Sequence, residues 1–124
     1  MTTDAEEWIY ERTADNLARF VLGTTGNHPL ICVGLNPSTA GPGSLDPTMS
    51  RVRAVAAAHD FDSILMLNLS PVRATRPRDL PAHADPALAA ENIEHVVRLL
   101  AGRADPVWAA WGANIARRPY LVHA

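Results

Sequence analysis

Only one cysteine, Cys32, occurs in the chain. An internal disulfide framework is therefore excluded, and the sequence reads as one suited to a reducing, cytoplasmic compartment. No apolar run approaches the ~20 residues needed to span a bilayer, so no membrane partner is expected. Residues 1–7 are acidic and polar rather than basic and then apolar, and no signal peptide is read there. An excess of basic residues is also missing. The formal net charge is −2, which removes the global signature of a nucleic-acid binder. A local basic group does occur, at Arg73, Arg76 and Arg78. The five histidines, His28, His59, His83, His95 and His123, have no metal-ligand spacing, and one cysteine cannot complete a zinc motif. There is no phosphate-binding P-loop, no dinucleotide fingerprint and no G-x-S-x-G elbow. No metal and no organic cofactor is implied.

What is present suits a globular domain. Hydrophobic residues make up 48% and charged residues 19% of 124, so one domain spanning 1–124 with a buried core is expected. Leu17, Phe20 and Val21 share a helical face, and the spacing predicts a helix over 13–22, with Thr13 as N-cap and Gly23 as its stop. Residues 29–35 form a continuous apolar run between turn signals, the pattern of a strand buried on both faces. A loop over 36–45 follows. Asp46-Pro47-Thr48 then reads as a helix start, with Asp as N-cap and Pro in the first turn. That helix runs to about His59, with Val52, Val55 and Ala56 inward.

Residues 63–69 repeat the buried-strand pattern, and a loop over 70–84 follows. Asp85-Pro86 starts a second capped helix to about Ala101. Its inward side is read as Ala89, Ile93, Val96, Val97 and Leu100, with Glu91, Glu94 and Arg98 opposite. Residues 106–111 are a third strand candidate, with Trp108 as core packing, and from Ala113 a further helix is expected. This alternation predicts a three-layer α/β fold with a mainly parallel sheet and flanking helices. The last residues, 120–124, read as mid-helix without a cap. A C-terminally truncated domain is expected, or one that completes its sheet edge by homo-oligomerisation.

In parallel sheets, ligands collect beyond the carboxyl ends of the strands. The candidates gather there. Asn36 follows a buried strand, so a rigid support holds its carboxamide and lets it position a water or a base edge. Pro37 stiffens the turn, and Ser38 and Thr39 add hydroxyls and N–H groups that suit an anion. The same residues also make an ordinary turn. Asp46 suits a general base or a helix cap, roles that do not exclude each other. Asn68, Arg73 and Thr75 occupy the second loop. Arg73 suits a phosphate or carboxylate, or equally an ion pair. Trp111, before Gly112, suits stacking on a planar ring, or plain packing.

Three blocks taken together closely resemble one family. They are Gly34-Leu35-Asn36-Pro37-Ser38-Thr39-Ala40 with Asp46-Pro47-Thr48, Asn68-Leu69 with Arg73-Ala74-Thr75, and Ala110-Trp111-Gly112. The family is the uncharacterised bacterial and phage group called domain of unknown function sixteen forty-three. The similarity runs from about Tyr10 to Leu121. More remotely, that family is similar to the uracil-DNA glycosylase superfamily. The resemblance implies a glycosylase-like fold in which Asn36 holds the attacking water, Asp46 supports it, and Pro37, Ser38, Thr39, Thr48, Asn68, Arg73, Thr75, Trp111 and Gly112 meet the substrate. Family members run on to a further strand and a His-Pro loop. Here His123 is followed by Ala124, and the only His-Pro is His28-Pro29. The expected function is binding of a nucleobase, nucleotide or nucleic acid, with hydrolysis of an N-glycosidic bond if the domain is catalytic. The alternatives are a non-catalytic ligand-binding or protein-interaction module and an inactive fragment.

Overall fold

The computed structural model describes residues 7–103 and 105–110. The strands are β1 (Trp8–Arg12), β2 (Arg19–Thr24), β3 (Pro29–Gly34), β4 (Ser63–Asn68) and β5 (Val107–Ala109). The helices are α1 (Pro47–Ala58), between β3 and β4, and α2 (Pro86–Leu100), between β4 and β5. A single 3-10 turn, Pro77–Asp79, lies in the loop after β4. The strands form one sheet in the order β1-β2-β4-β3-β5.

The sheet is mixed rather than mainly parallel. β3 pairs in parallel with β4 and with β5, whereas β2 pairs antiparallel with β4 and with β1. The departure comes from the segment expected to be a helix over 13–22, which is instead the turn and second strand of a hairpin. Asn16 adopts φ 60°, a left-handed conformation that asparagine tolerates in turns. Asp15 accepts the Leu17 N–H at 3.0 Å and the Thr13 hydroxyl at 2.7 Å. Thr13 is no helix cap: its Oγ1 accepts the Ala18 N–H at 3.1 Å, across the turn. Leu17, expected to face a core, is 68% exposed. The register between β1 and β2 shifts after Glu11, and this irregularity lets the neighbours Phe20 and Val21 both reach the α2 side.

One helix packs on each face of the sheet. Met49, Val52 and Ala56 of α1 meet Leu22, Leu30, Cys32, Ile64 and Met66. On the other face, Leu88, Val96, Leu99 and Leu100 of α2 meet Phe20, Val21, Ile31, Leu65 and Leu67. Alternation along β3 and β4 therefore sorts their apolar residues onto two buried faces, as the continuous runs required. Both Asp-Pro starts are real caps: Asp46 accepts from Met49 N–H at 2.9 Å and Asp85 from Ala87 N–H at 2.9 Å. β2 and β4 approach closely at Gly23, where a Cβ would lie 2.2 Å from the Ile64 carbonyl oxygen. Asp62 ties the turn before β3 to the start of β4, accepting from the N–H groups of Asn27 and His28 at 2.9 Å each and from the Ser63 hydroxyl at 2.7 Å.

α2 is rotated from its expected setting. Its inner stripe is Leu88, Asn92, Val96 and Leu99, while Ile93 and Val97 are 57% and 61% exposed. Asn92 turns inward because its amide donates to the Asn68 carbonyl at 2.9 Å. His95 follows, stacking on Phe20 with ring centroids 4.5 Å apart and meeting Glu11 of β1. Trp108 is 39% exposed on β5, not core. Trp111, Gly112 and the helix expected from Ala113 lie outside the described residues. Among the described residues, no helix is long and apolar enough to cross a membrane.

Candidate functional site

β3 and β4 end side by side, with Gly34 opposite Asn68, so the loops over 36–45 and 69–85 leave the sheet together. Backbone bonds zip them: Leu69 N–H to Gly34 O, Ser70 N–H to Leu35 O and Ala74 N–H to Pro37 O, each 2.9 Å. Asn36 completes the clamp. Its amide nitrogen donates to Ala74 O at 2.8 Å and to Pro37 O at 2.9 Å. Two carbonyl acceptors leave no choice of amide orientation. Oδ1 therefore points away from both, and it accepts no hydrogen bond among the described residues. Asn36 itself is half-buried.

The second loop also lies along the hairpin turn. Arg19 N–H donates to Pro71 O at 2.8 Å and Arg73 N–H to Leu17 O at 3.0 Å. This brings two guanidinium groups together beneath the loop over 36–45. Arg73 Nη1 donates to Ser38 O at 2.6 Å and Ala40 O at 3.2 Å; its Nη2 donates to Tyr10 Oη at 2.8 Å and Asn16 Oδ1 at 3.2 Å. Arg19, 2% exposed, donates to the same Ala40 carbonyl at 3.1 Å. Burial, and then the charge of neighbouring Arg73, push the Arg19 guanidinium down to about 10 against the pull of Asp46 and Tyr10.

Four buried polar atoms in this region have no partner among the described residues: Nε of Arg19, Nε of Arg73, and both Nδ2 and Oδ1 of Asn68. The Asn68 carboxamide fits only because residue 34 is glycine. A Cβ there would come within 2.9 Å of Asn68 Oδ1 and 2.8 Å of Met66 Cε. The remainder of the first loop is self-contained: Gly41 and Ser44 exchange two backbone bonds of 3.0 Å, and Gly43 takes φ +72° at the tip.

Not all the expected residues converge. Ser38, Thr39, Arg73 and Thr75 line one cavity of about 450 Å³, together with Asn16 and Asp79. Pro37 is buried behind it, and Asn36 sits between the loops without lining the cavity. Asp46 is committed to capping α1, and Thr48 is exposed in the first turn of that helix. Asn68 is buried on the α1 side of the sheet end. Arg73, read as suiting either a phosphate or carboxylate or an ion pair, has its terminal nitrogens on four uncharged protein acceptors, Ser38 O, Ala40 O, Tyr10 Oη and Asn16 Oδ1. Trp111 and Gly112 lie outside the described residues. Sequence reasoning missed Tyr10, Asn16, Arg19 and Asp79. An Asp-Asn pair between two apolar stretches was the available signal for the turn that carries Asn16. Nothing local marks Arg19 as a site residue. Among the described residues, no group of three or more His, Cys, Asp or Glu is placed to hold a metal ion.

A family model described as "Protein of unknown function (DUF1643)" matches residues 19–123, from the first residue of β2 onward. No curated protein and no solved structure matches the chain.

Proposed function

The chain belongs to the DUF1643 family of proteins of unknown function, and from that premise we propose that it binds a nucleobase-bearing ligand, a nucleotide or nucleic acid, at the loop end of its sheet and hydrolyses an N-glycosidic bond there. The observation that carries this reading is the Asn36 carboxamide. Both amide hydrogens are held by main-chain carbonyls, so Oδ1 is a fixed acceptor with no protein donor among the described residues. Such an acceptor orients a water by taking one of its hydrogens, with little reorganisation during the reaction. The water oxygen bonds to the anomeric carbon as the carbon–nitrogen bond breaks. The electron pair leaves with the base, which takes up the proton the water loses.

The neighbouring groups suit the rest of such a ligand. Ser38, Thr39 and Thr75 bring hydroxyl groups to the 450 Å³ cavity. Arg73 acts there through its positive charge, its terminal Nη1 and Nη2 groups being engaged. Asp46 is a positioning residue: it caps α1 and favours the charge on Arg19. A glycosylase-like fold and a cytoplasmic setting belong to the same proposal.

The experiment measures base release from nucleosides and from oligonucleotides carrying uracil or damaged bases. Wild type is expected to release base, and Asn36→Ala to lose at least ~10²-fold, the lower end for removing one preorganised hydrogen-bonding group at a reacting centre. Inert wild type on every substrate removes the hydrolytic step. The second reading, a non-catalytic binding module, is favoured by the engagement of Asp46 as a cap. It predicts nucleotide or oligonucleotide affinity that falls as salt rises, with no base released.

A further inference from the structure

We propose that a second cavity, on the α2 face of the sheet, binds a small, uncharged, largely apolar molecule that carries one hydrogen-bond donor. The cavity has about 1060 Å³, near the upper end of the range that holds drug-sized ligands. It shares no lining residue with the cavity beside the Asn36 loop. Its walls are Leu17 from the hairpin turn, Val72 from the loop after β4, and Leu88, Ile93 and Val97 from α2. Leu17, Ile93 and Val97 are each more than half exposed, so this wall is apolar surface left uncovered by the described part of the fold.

Several polar residues interrupt this lining, among them Thr13, Asn68, Ser70, His83 and Asn92. Asn92 sits on the inner stripe of α2 with 4% of its surface exposed, and it lines the same cavity. Its Nδ2 donates to Asn68 O at 2.9 Å and, more weakly, to Leu69 O at 3.5 Å, which fixes the amide plane. Its Oδ1 is buried and has no partner among the described residues. A buried acceptor without a donor is unfavourable, and leucine would fill the same space without that cost. The asparagine thus holds one unpartnered acceptor of set orientation in the wall of a largely apolar hollow. That combination selects an apolar body bearing an N–H or O–H. Asp15 and Asp85, also in the lining, disfavour an anion.

The test titrates the full chain with indole and with 1-methylindole, which share an apolar body and differ in the single N–H. Binding is followed by calorimetry and by amide chemical shifts. Both should bind saturably, with shifts concentrated at Leu17, Val72, Ile93 and Val97, and indole about tenfold more tightly. Asn92→Leu should bring indole to the affinity of 1-methylindole. Ala89→Trp, which fills the hollow from its lining, should abolish binding of both while the helical circular dichroism signal persists. Absence of saturable binding to wild type overturns the proposal. So does equal affinity for the two probes, or binding that survives Ala89→Trp. Sedimentation showing a dimer that neither probe perturbs would assign this face to a second copy of the chain instead. The wild-type comparison of the two probes stands even if Asn92→Leu does not fold, and it is independent of base release at Asn36.

Discussion

Asn36 donates both amide hydrogens to carbonyls of two different loops, so its removal should loosen the loops as well as any chemistry between them. Asn36→Ala is expected to lower stability by about 1–3 kcal/mol, the range for stranding buried polar groups, measured by urea unfolding. A loss below ~0.5 kcal/mol, ordinary for a surface change, would show that the clamp contributes little. At Gly23 the argument is steric. The obstacle to a Cβ is the Ile64 main-chain oxygen, which cannot swing aside like a side chain, so Gly23→Ala should destabilise by at least ~1–3 kcal/mol in the same assay. Asp62 gives a pH signature. The Ser63 hydroxyl, then the His28 and Asn27 N–H groups, hold its carboxyl below the usual carboxylate range. A depressed folded-state value means stability that is present above the unfolded value and lost as pH falls through the folded one. Wild type should therefore lose stability below about pH 4, and Asp62→Asn should lose less over the same interval in acid titrations of thermal unfolding. Asn36 was legible because an asparagine directly after a buried strand has a stiff support. Which of its atoms would be left free was not, since that depends on Ala74, far along the chain. Arg19 was illegible for another reason: it opens an apolar stretch whose spacing imitates a helix, and only the strand pairing turns it toward Ala40.

Among the elements, the two capped helices and the two central strands could be read with little ambiguity. Asp-Pro supplies a side-chain acceptor and a residue whose missing N–H costs nothing in the first turn, and continuous apolar runs fit strands covered on both sides. Asp46→Ala and Asp85→Ala should each cost ~1 kcal/mol in chemical unfolding. Should Asp46→Ala leave stability unchanged, its reading as a cap is wrong and a direct part in chemistry gains ground. The hairpin escaped because Leu17, Phe20 and Val21 fit helical spacing by accident: Leu17 belongs to the turn, and an irregularity in β2 puts Phe20 and Val21 on one side. The setting of α2 escaped as well. Hydrophobicity alone favours Ile93 and Val97 as inward residues, but a polar contact from Asn92 and the His95–Phe20 stack fix the rotation.

At the scale of the whole molecule, an antiparallel hairpin is joined to a parallel β4-β3-β5 unit, and the two parts are sewn together by Arg73 reaching Tyr10. Arg73→Met should therefore lower the unfolding midpoint of the entire domain, rather than produce a separate early transition for the hairpin, in thermal scans read by both far-ultraviolet and tryptophan signals. Two resolved transitions would show that hairpin and parallel unit are independent. Cys32 lies at the centre of β3, fully buried, and burial raises its thiol to about 11. Native protein should accordingly be inert to thiol reagents at neutral pH. The small closed turn of residues 41–44 acquires a practical meaning from this. Pro42 is exposed on it, away from the packed faces. A Pro42→Cys substitution would place the molecule's sole reactive handle a few residues from Asn36, so that one attached dye could report ligand arrival without labelling the interior.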